Sequence, residues 1–176
     1  MLNKKLGLAG LPLLATFMLA GCGQTVDPPS SWFQVDQASQ TVTMKVIGGY
    51  NSSNSYMNFN GASHGQIEID IPVGYHVKID FENKSGIPQD IGIYDGNRKL
   101  AFKGAGDSIS AIQGNAGAGV MPGDSQTYKF DAAQAGTYRL ASMLYYFPND
   151  RQRHQDLGMW AVFKVVDGGQ PSVQIK

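Results

Sequence analysis

Apolar and polar residues alternate with a period of two along most of the chain. Residues 66–71 alternate strictly, and residues 75–82 do so over eight positions. This pattern is typical of half-buried antiparallel strands, and Pro72-Val73-Gly74 predicts a tight turn between the two. Six further strands are predicted at residues 41–47, 90–95, 126–131, 137–143, 159–166 and 172–176.

Clusters of glycine, serine and asparagine separate these segments at residues 48–55, 104–119 and 167–170. No segment of helical length has a period near 3.6 residues, although residues 109–113 are predicted to form a turn. Seven or eight short strands joined by glycine-rich turns predict an all-β fold, a Greek-key β-sandwich. The sandwich is predicted to span residues 32–176, which is the size of one domain.

The N-terminus has the pattern of a secretory leader. Lys4 and Lys5 precede an apolar run that is too short to span a membrane, so residues 1–21 are predicted to be a signal peptide. The run ends in Leu19-Ala20-Gly21-Cys22, which resembles the bacterial lipobox. Cys22 is the only cysteine, and its position favours acylation over an ordinary residue beside a cleavage site.

The lipobox resemblance implies a lipoprotein anchored at the periplasmic or other extracytoplasmic face of a membrane. Several acyl chains on Cys22 would give durable attachment. Residues 22–31 contain two prolines and no apolar periodicity, so they are predicted to be a linker between lipid and domain. Which membrane carries the anchor stays open.

Charge and cysteine content argue against nucleic-acid binding and against a site that uses a cysteine thiolate. The sequence has 14 basic and 14 acidic residues, and removing the leader takes away Lys4 and Lys5, which leaves a net charge of about −2. No basic surface for nucleic acid is therefore predicted. Because Cys22 is the only cysteine, the folded domain has neither a disulfide nor a thiolate ligand.

Two segments near the C-terminus carry the pattern of a metal site. Residues 136–142 read Gly-Thr-Tyr-Arg-Leu-Ala-Ser, and residues 154–159 read His-Gln-Asp-Leu-Gly-Met. These segments resemble the C-terminal ligand region of cupredoxins, the small blue-copper proteins, in which a cysteine is followed by a loop and then by His-x4-Met. Ser142 stands at the position that the resemblance assigns to the cysteine.

Two earlier segments are similar to the sulfocyanin and rusticyanin branch of the cupredoxins. Residues 59–65 (Phe-Asn-Gly-Ala-Ser-His-Gly) resemble the F-N-x-x-S-x-G motif of sulfocyanins. Residues 79–83 and 87–90 resemble the stretch that carries the family's first histidine ligand. In this chain that position is Gln89.

The resemblance therefore implies a degenerate copper site. His154 and Met159 retain ligand positions, whereas Gln89 and Ser142 are substitutions. A blue-copper site requires a thiolate, and a serine hydroxyl is a poor copper ligand, so blue-copper electron transfer is not expected. Weak copper binding by His154 and Met159, completed by Met121 or Met143, stays open.

The loop between Ser142 and His154 is long and aromatic. It holds eleven residues, among them Tyr145, Tyr146 and Phe147. These three side chains either form a docking surface for a protein partner or fill the space of the lost metal.

The sequence thus favours a non-enzymatic, membrane-tethered protein that binds a respiratory or copper-handling partner. The alternative is a copper carrier or electron-transfer protein that uses His154 and Met159. Residues 61–65 also fit the G-x-S-x-G pattern of hydrolases, but the alternating strand that follows is incompatible with the helix which that motif requires.

Overall fold

Two β-sheets pack face to face around one main core. The computed structural model describes residues 25–106, 119–146 and 151–176. Its nine strands are β1 (Phe33–Asp36), β2 (Thr41–Gly48), β3 (Ile67–Pro72), β4 (His76–Asn83), β5 (Gly92–Tyr94), β6 (Ser125–Asp131), β7 (Gly136–Ala141), β8 (Trp160–Val166) and β9 (Ser172–Ile175). Three short 3-10 helices are described at Pro29–Ser31, Ser53–Tyr56 and His154–Leu157. The predicted all-β sandwich is confirmed.

One sheet has the strand order β1-β2-β4-β6, and the other has the order β5-β7-β8-β3-β9. Two pairs are parallel, β2 with β4 and β3 with β8, and the other pairs are antiparallel. The antiparallel pairing expected for residues 66–71 and 75–82 is therefore present on one side of each strand, with β9 and β6, and wrong on the other side. Alternation reports only that one face of a strand is buried, and it does not report the direction of the neighbouring strand.

The alternating residues of β3 and β4 point into the core as the pattern predicts. Ile69, Ile71, Val77, Ile79 and Phe81 are each at most 1% exposed. Burying such a side chain fully contributes about 1.5–3 kcal/mol, so these positions hold the two sheets together. A smaller cluster of Tyr94, Ala141 and Met143, with Trp160 packed against it, lies apart from the main core.

All eight predicted strands are present, with ends within two residues of those observed. The Pro72-Val73-Gly74 turn is also present, and Gly74 adopts a φ of +90° there. β1 is a ninth strand that the sequence analysis did not predict, because four half-exposed residues give little signal. The turn predicted at residues 109–113 lies outside the described residues.

The segment that precedes β1 is fixed to the domain. The indole nitrogen of Trp32 donates to the Asp27 carbonyl at 3.0 Å, and Trp32 is only 3% exposed. The backbone of Asp27 donates to Asn60 at 2.8 Å. The predicted leader and Cys22 lie outside the described residues. Within the described part of the chain, no helix has the length and apolarity needed to cross a membrane.

Candidate functional site

Five buried residues from separate segments converge at one end of the second sheet. They are called the remnant site below and are Gln89, Asp90, Ser142, His154 and Met159. Gln89 and Asp90 precede β5, Ser142 follows β7, and Met159 directly precedes β8. Since β5, β7 and β8 are neighbours in the sheet, their ends bring these residues together. Each is at most 1% exposed.

Ser142 is the centre of the hydrogen-bond network in the remnant site. Its hydroxyl donates to Asp90 Oδ1 at 2.7 Å and lies 2.9 Å from His154 Nδ1. The same Asp90 oxygen accepts the backbone N–H groups of Met143 at 2.6 Å and Leu144 at 3.1 Å. Three donors on one oxygen compensate a carboxylate that has no access to solvent.

This network determines the tautomer of His154. A hydroxyl has one proton, and the Ser142 hydroxyl uses it in the hydrogen bond to Asp90. The Ser142 oxygen can therefore only accept from His154, so Nδ1 of His154 is the donor. Nε2 is buried without a hydrogen-bond partner in the described residues, so a proton there would have no acceptor, and in the neutral ring this atom carries a lone pair. Burial lowers the pKa of His154 to about 4, which agrees with a neutral ring near pH 7.

Met159 is joined to the remnant site through its backbone. Its N–H donates to the His154 carbonyl at 3.0 Å, and its carbonyl accepts from Ser142 at 3.2 Å. The Met159 side chain belongs to the main hydrophobic core. His154 and Met159 are therefore hydrogen-bonded through their backbones, and the Met159 thioether is packed as a core side chain.

The side chain of Gln89 points toward the loop that contains Tyr56. Its amide nitrogen donates to the Tyr56 carbonyl at 3.2 Å, and its Oε1 atom lies against Gly48. Within residues 25–106, 119–146 and 151–176, neither Gln89 Oε1 nor His154 Nε2 has a hydrogen-bond partner, although both atoms are buried. Two unsatisfied lone pairs are thus left at this end of the domain.

The side chains of the two methionines proposed to complete a soft metal site are either exposed or packed in the smaller cluster. Met121 is 56% exposed, and the buried Met143 packs in the smaller cluster with Tyr94 and Ala141. Nowhere in the described parts of the chain do three or more His, Cys, Asp or Glu side chains form a group that could hold a metal.

Asp90 has a central role that the sequence analysis did not assign. The only signal was its position beside Gln89 in the family-like stretch. Sequence position did not reveal that one oxygen of Asp90 receives donors from three consecutive residues, Ser142 to Leu144.

The two aromatic side chains that the structure describes in the aromatic loop differ in exposure. Tyr146 packs against the core, with its ring centroid 6.2 Å from that of His154. Tyr145 is 47% exposed, and the guanidinium of Arg153 lies 4.2 Å above its ring. Tyr146 thus covers the remnant site and Tyr145 faces outward. Phe147 lies outside the described residues.

The other sequence features of the domain have structural explanations. His76 is exposed, and its Nδ1 atom is hydrogen-bonded to Asp131 Oδ1 at 2.6 Å. His64 lies against Gly158 in the motif loop, with its backbone N–H donating to the Gly158 carbonyl at 2.7 Å. Ser63 is followed by strand β3, so the hydrolase-like pattern lacks its helix, as predicted.

The family comparison agrees with this geometry. A family model described as the sulfocyanin (SoxE) domain matches residues 28–170. The chain belongs to the sulfocyanin family. This match covers the whole sandwich apart from its last strand, and it confirms the resemblance of the four motif segments to cupredoxins of the sulfocyanin type. No protein among those with curated descriptions matches the chain.

Solved structures with a similar fold are cupredoxin-type proteins. A multicopper oxidase from Campylobacter jejuni matches with a TM-score of 0.52 and 14% identity, over 81% of this chain and 29% of that one. Auracyanin B matches with a TM-score of 0.46 and 18% identity, over 77% of this sulfocyanin-family chain and 95% of that one. The chain spans about a third or less of the length of several multicopper oxidases that it matches. At these identities the likeness shows the fold alone.

The sulfocyanin family implies a copper cofactor, and the remnant site does not fit a blue-copper centre. Ser142 supplies a hydroxyl whose proton is committed to Asp90, and Nδ1 of His154 carries a proton that points at Ser142. A thiolate and two imidazoles define the blue site, and this chain has neither the thiolate nor the second imidazole there. A direct side-chain hydrogen bond joins two of the four ligand positions, Ser142 and His154, whereas the Gln89 side chain bonds to Tyr56.

Proposed function

We propose that this sulfocyanin-family chain is a membrane-tethered lipoprotein that binds a protein partner and has lost blue-copper electron transfer. Its role is non-enzymatic, and the partner belongs to a respiratory or copper-handling system. The observation that carries the proposal is the bonding of Ser142 to both Asp90 and His154. The β-sandwich is complete, whereas the cysteine and one histidine that a blue-copper site requires are replaced by Ser142 and Gln89.

The partner surface is the outward part of the aromatic loop. Tyr145 offers an exposed ring whose position is set by Arg153, which also donates to the Tyr145 hydroxyl at 2.9 Å and to the Met143 carbonyl at 2.6 Å. Tyrosine held rigidly beside arginine is a frequent combination at interface hot spots. The loop therefore presents a preorganised contact to a partner.

Replacement of Tyr145 tests this docking surface. The full-length chain would be captured from detergent-solubilised membranes of its host, and the associated proteins would be quantified by mass spectrometry. Tyr145→Ala should lose a respiratory or copper-handling partner, and Val73→Ala, at an exposed position in the β3–β4 turn, should retain it. Equal recovery with Tyr145→Ala would exclude this surface.

A copper(I) carrier is the second candidate function, and two buried lone pairs favour it. His154 Nε2 and Gln89 Oε1 have no partner in the described residues, and Met159 is close in the chain to His154. Anaerobic titration with Cu(I) against a competing chelator separates the two functions. The partner-binding proposal predicts no competition. Tight one-to-one binding that His154→Ala abolishes would instead support the carrier.

A further inference from the structure

The attachment point of the N-terminal segment lies beside residues 49–56, the loop that is hydrogen-bonded to Gln89. The carbonyl of Thr25 accepts the side-chain amide of Asn51 at 2.9 Å, and Val26 packs against the core. Asn51 belongs to residues 49–56, the loop that leaves β2. Tyr56 of this loop accepts the hydrogen bond from Gln89. The chain therefore enters the domain at its remnant-site end.

The distance between this entry point and the lipid is short. Only Gly23 and Gln24 separate Cys22 from Thr25. Three Cα steps extend to at most about 11 Å, and the headgroup layer on each side of a bilayer is itself several ångströms thick. With Cys22 acylated, as the proposed function requires, the domain cannot stand clear of the membrane surface.

The surface beside Thr25 presents a rigidly held tyrosine. Asn54, Ser55 and Tyr56 have φ values of +47°, +53° and +65°, which is an unfavourable left-handed run for three residues other than glycine. The Asn54 side chain stabilises the run by donating to the carbonyls of Met57 and Leu157, both at 2.7 Å. The result is a Tyr56 side chain that is 48% exposed.

The same surface has the chemistry of a bilayer interface. Residues 49–65 contain no Asp, Glu, Lys or Arg. Tyr56, Ile87 and Tyr146 help to line an open groove of about 520 Å³, in which Lys84 is the charged residue among the described lining side chains. Tyrosine is enriched at the headgroup level of membranes, and lysine is attracted to anionic lipids. Lys84 lies 3.6 Å from Glu82, a residue outside the groove lining, and this pairing weakens its attraction to anionic lipids, so the tyrosine and apolar side chains of the groove are the main contacts expected with the bilayer.

We propose that the surface formed by residues 49–56 and this groove rests on the bilayer, with Tyr56 in the headgroup layer. The proposal rests on the acylation of Cys22 and adds an orientation to it. The remnant-site end of the sandwich faces the lipid. The Val73-Gly74 turn faces away, because β4 begins just after that turn and ends at Asn83, an eight-residue span of about 25 Å. Tyr145, which does not line the groove, is left for the protein partner.

Site-specific quenching in vesicles tests this orientation. The full-length acylated chain would be placed in phosphatidylcholine and phosphatidylglycerol vesicles that contain no other protein. Acylation consumes the only native thiol, so Ser55→Cys and Val73→Cys each provide one reactive site for a fluorophore. A nitroxide on the lipid headgroups should quench the label at position 55 several-fold more than the label at position 73. Equal quenching would overturn the proposal.

A lengthened linker separates the contribution of the surface from that of the anchor. A flexible insertion of about 20 residues after Gln24 would allow a separation of about 25 Å. The label at position 55 should stay quenched in this variant and lose quenching when Tyr56→Ser is added. Loss of quenching with Tyr56 intact would show that the linker alone imposes the contact, which also contradicts the proposal.

Two readouts separate failure of this inference from failure of the proposed function. Mass measurement of the N-terminal peptide shows whether Cys22 is acylated, and an unmodified Cys22 contradicts the lipoprotein proposal before any vesicle is made. Acylation with equal quenching contradicts the orientation alone. In native membranes, protection of position 55 from a water-soluble quencher without quenching by the lipid nitroxide would assign the surface to a protein and exclude the bilayer as its occupant.

Discussion

At the scale of residues, hydrogen bonds connect side chains that stand at ligand positions of the cupredoxin copper site. Ser142 links Asp90 to His154, and the backbone that follows Ser142 completes the coordination of the carboxylate. A cysteine-to-serine difference therefore changes more than one ligand. It links Ser142, Asp90 and Nδ1 of His154 by direct hydrogen bonds, while Nε2 of His154 and Oε1 of Gln89 stay without a partner in the described residues.

Replacement of Ser142 by alanine should destabilise the domain. The change leaves Nδ1 of His154 without a partner and removes one donor from Asp90, and an unsatisfied buried polar group costs about 1–3 kcal/mol. Urea unfolding measures this loss. Ser125→Ala, on an exposed position of β6, is the matched control and should change the free energy of unfolding by less than about 0.5 kcal/mol. Equal stability of the two variants would contradict the network.

His154 should make stability depend on pH. Its pKa falls from 6.5 to about 4 on folding, so the unfolded chain binds its proton first as the pH decreases. The stabilisation is complete above pH 6.5 and is lost between pH 6.5 and about 4, by about 3 kcal/mol in all. Unfolding at pH 7 and pH 4 should show a smaller decrease for His154→Gln than for the native chain. The same decrease in both would contradict the buried neutral imidazole.

At the scale of elements, the end of β2 is shaped to accept Gln89. A Cβ atom at Gly48 would lie 2.1 Å from Gln89 Oε1 and 3.0 Å from the Phe81 ring, both closer than contact allows. Gly48→Ala should therefore lower the free energy of unfolding by about 1–3 kcal/mol. Gly86→Ala is the control, because a Cβ atom there meets no atom within 4 Å. Chemical denaturation of the two variants should separate them, and similar midpoints would contradict this packing.

The strands were predictable because burial imposes an alternating pattern on them. Val77, Ile79 and Phe81 alternate with polar residues on β4, and this pattern does not depend on which strand lies alongside. The parallel pairing of β2 with β4 was not predictable, because it depends on how distant segments meet. The left-handed backbone conformation of residues 54–56 was not predictable from the sequence for a related reason. Its stability comes partly from a hydrogen bond to Leu157, about 100 positions later in the sequence.

At the scale of the whole molecule, the identity of the site residues was predictable and their bonding was not. Motif positions alone pointed to His154, Met159, Gln89 and Ser142. The role of Asp90, which accepts a hydrogen bond from Ser142, depends on the ends of β5, β7 and β8 lying side by side, and the sequence does not show this. Acylation of Cys22, the protein partner and the membrane-facing orientation stay predictions.

The most direct test of the account adds Cu(II) to the full-length protein in detergent and records visible absorption and electron paramagnetic resonance. No intense charge-transfer band is expected, because the site offers no thiolate and the Ser142 hydroxyl donates its hydrogen bond to Asp90. An intense visible band with a blue-copper resonance, present in the native chain and absent in His154→Ala, would contradict the central claim that this sandwich has lost its electron-transfer centre.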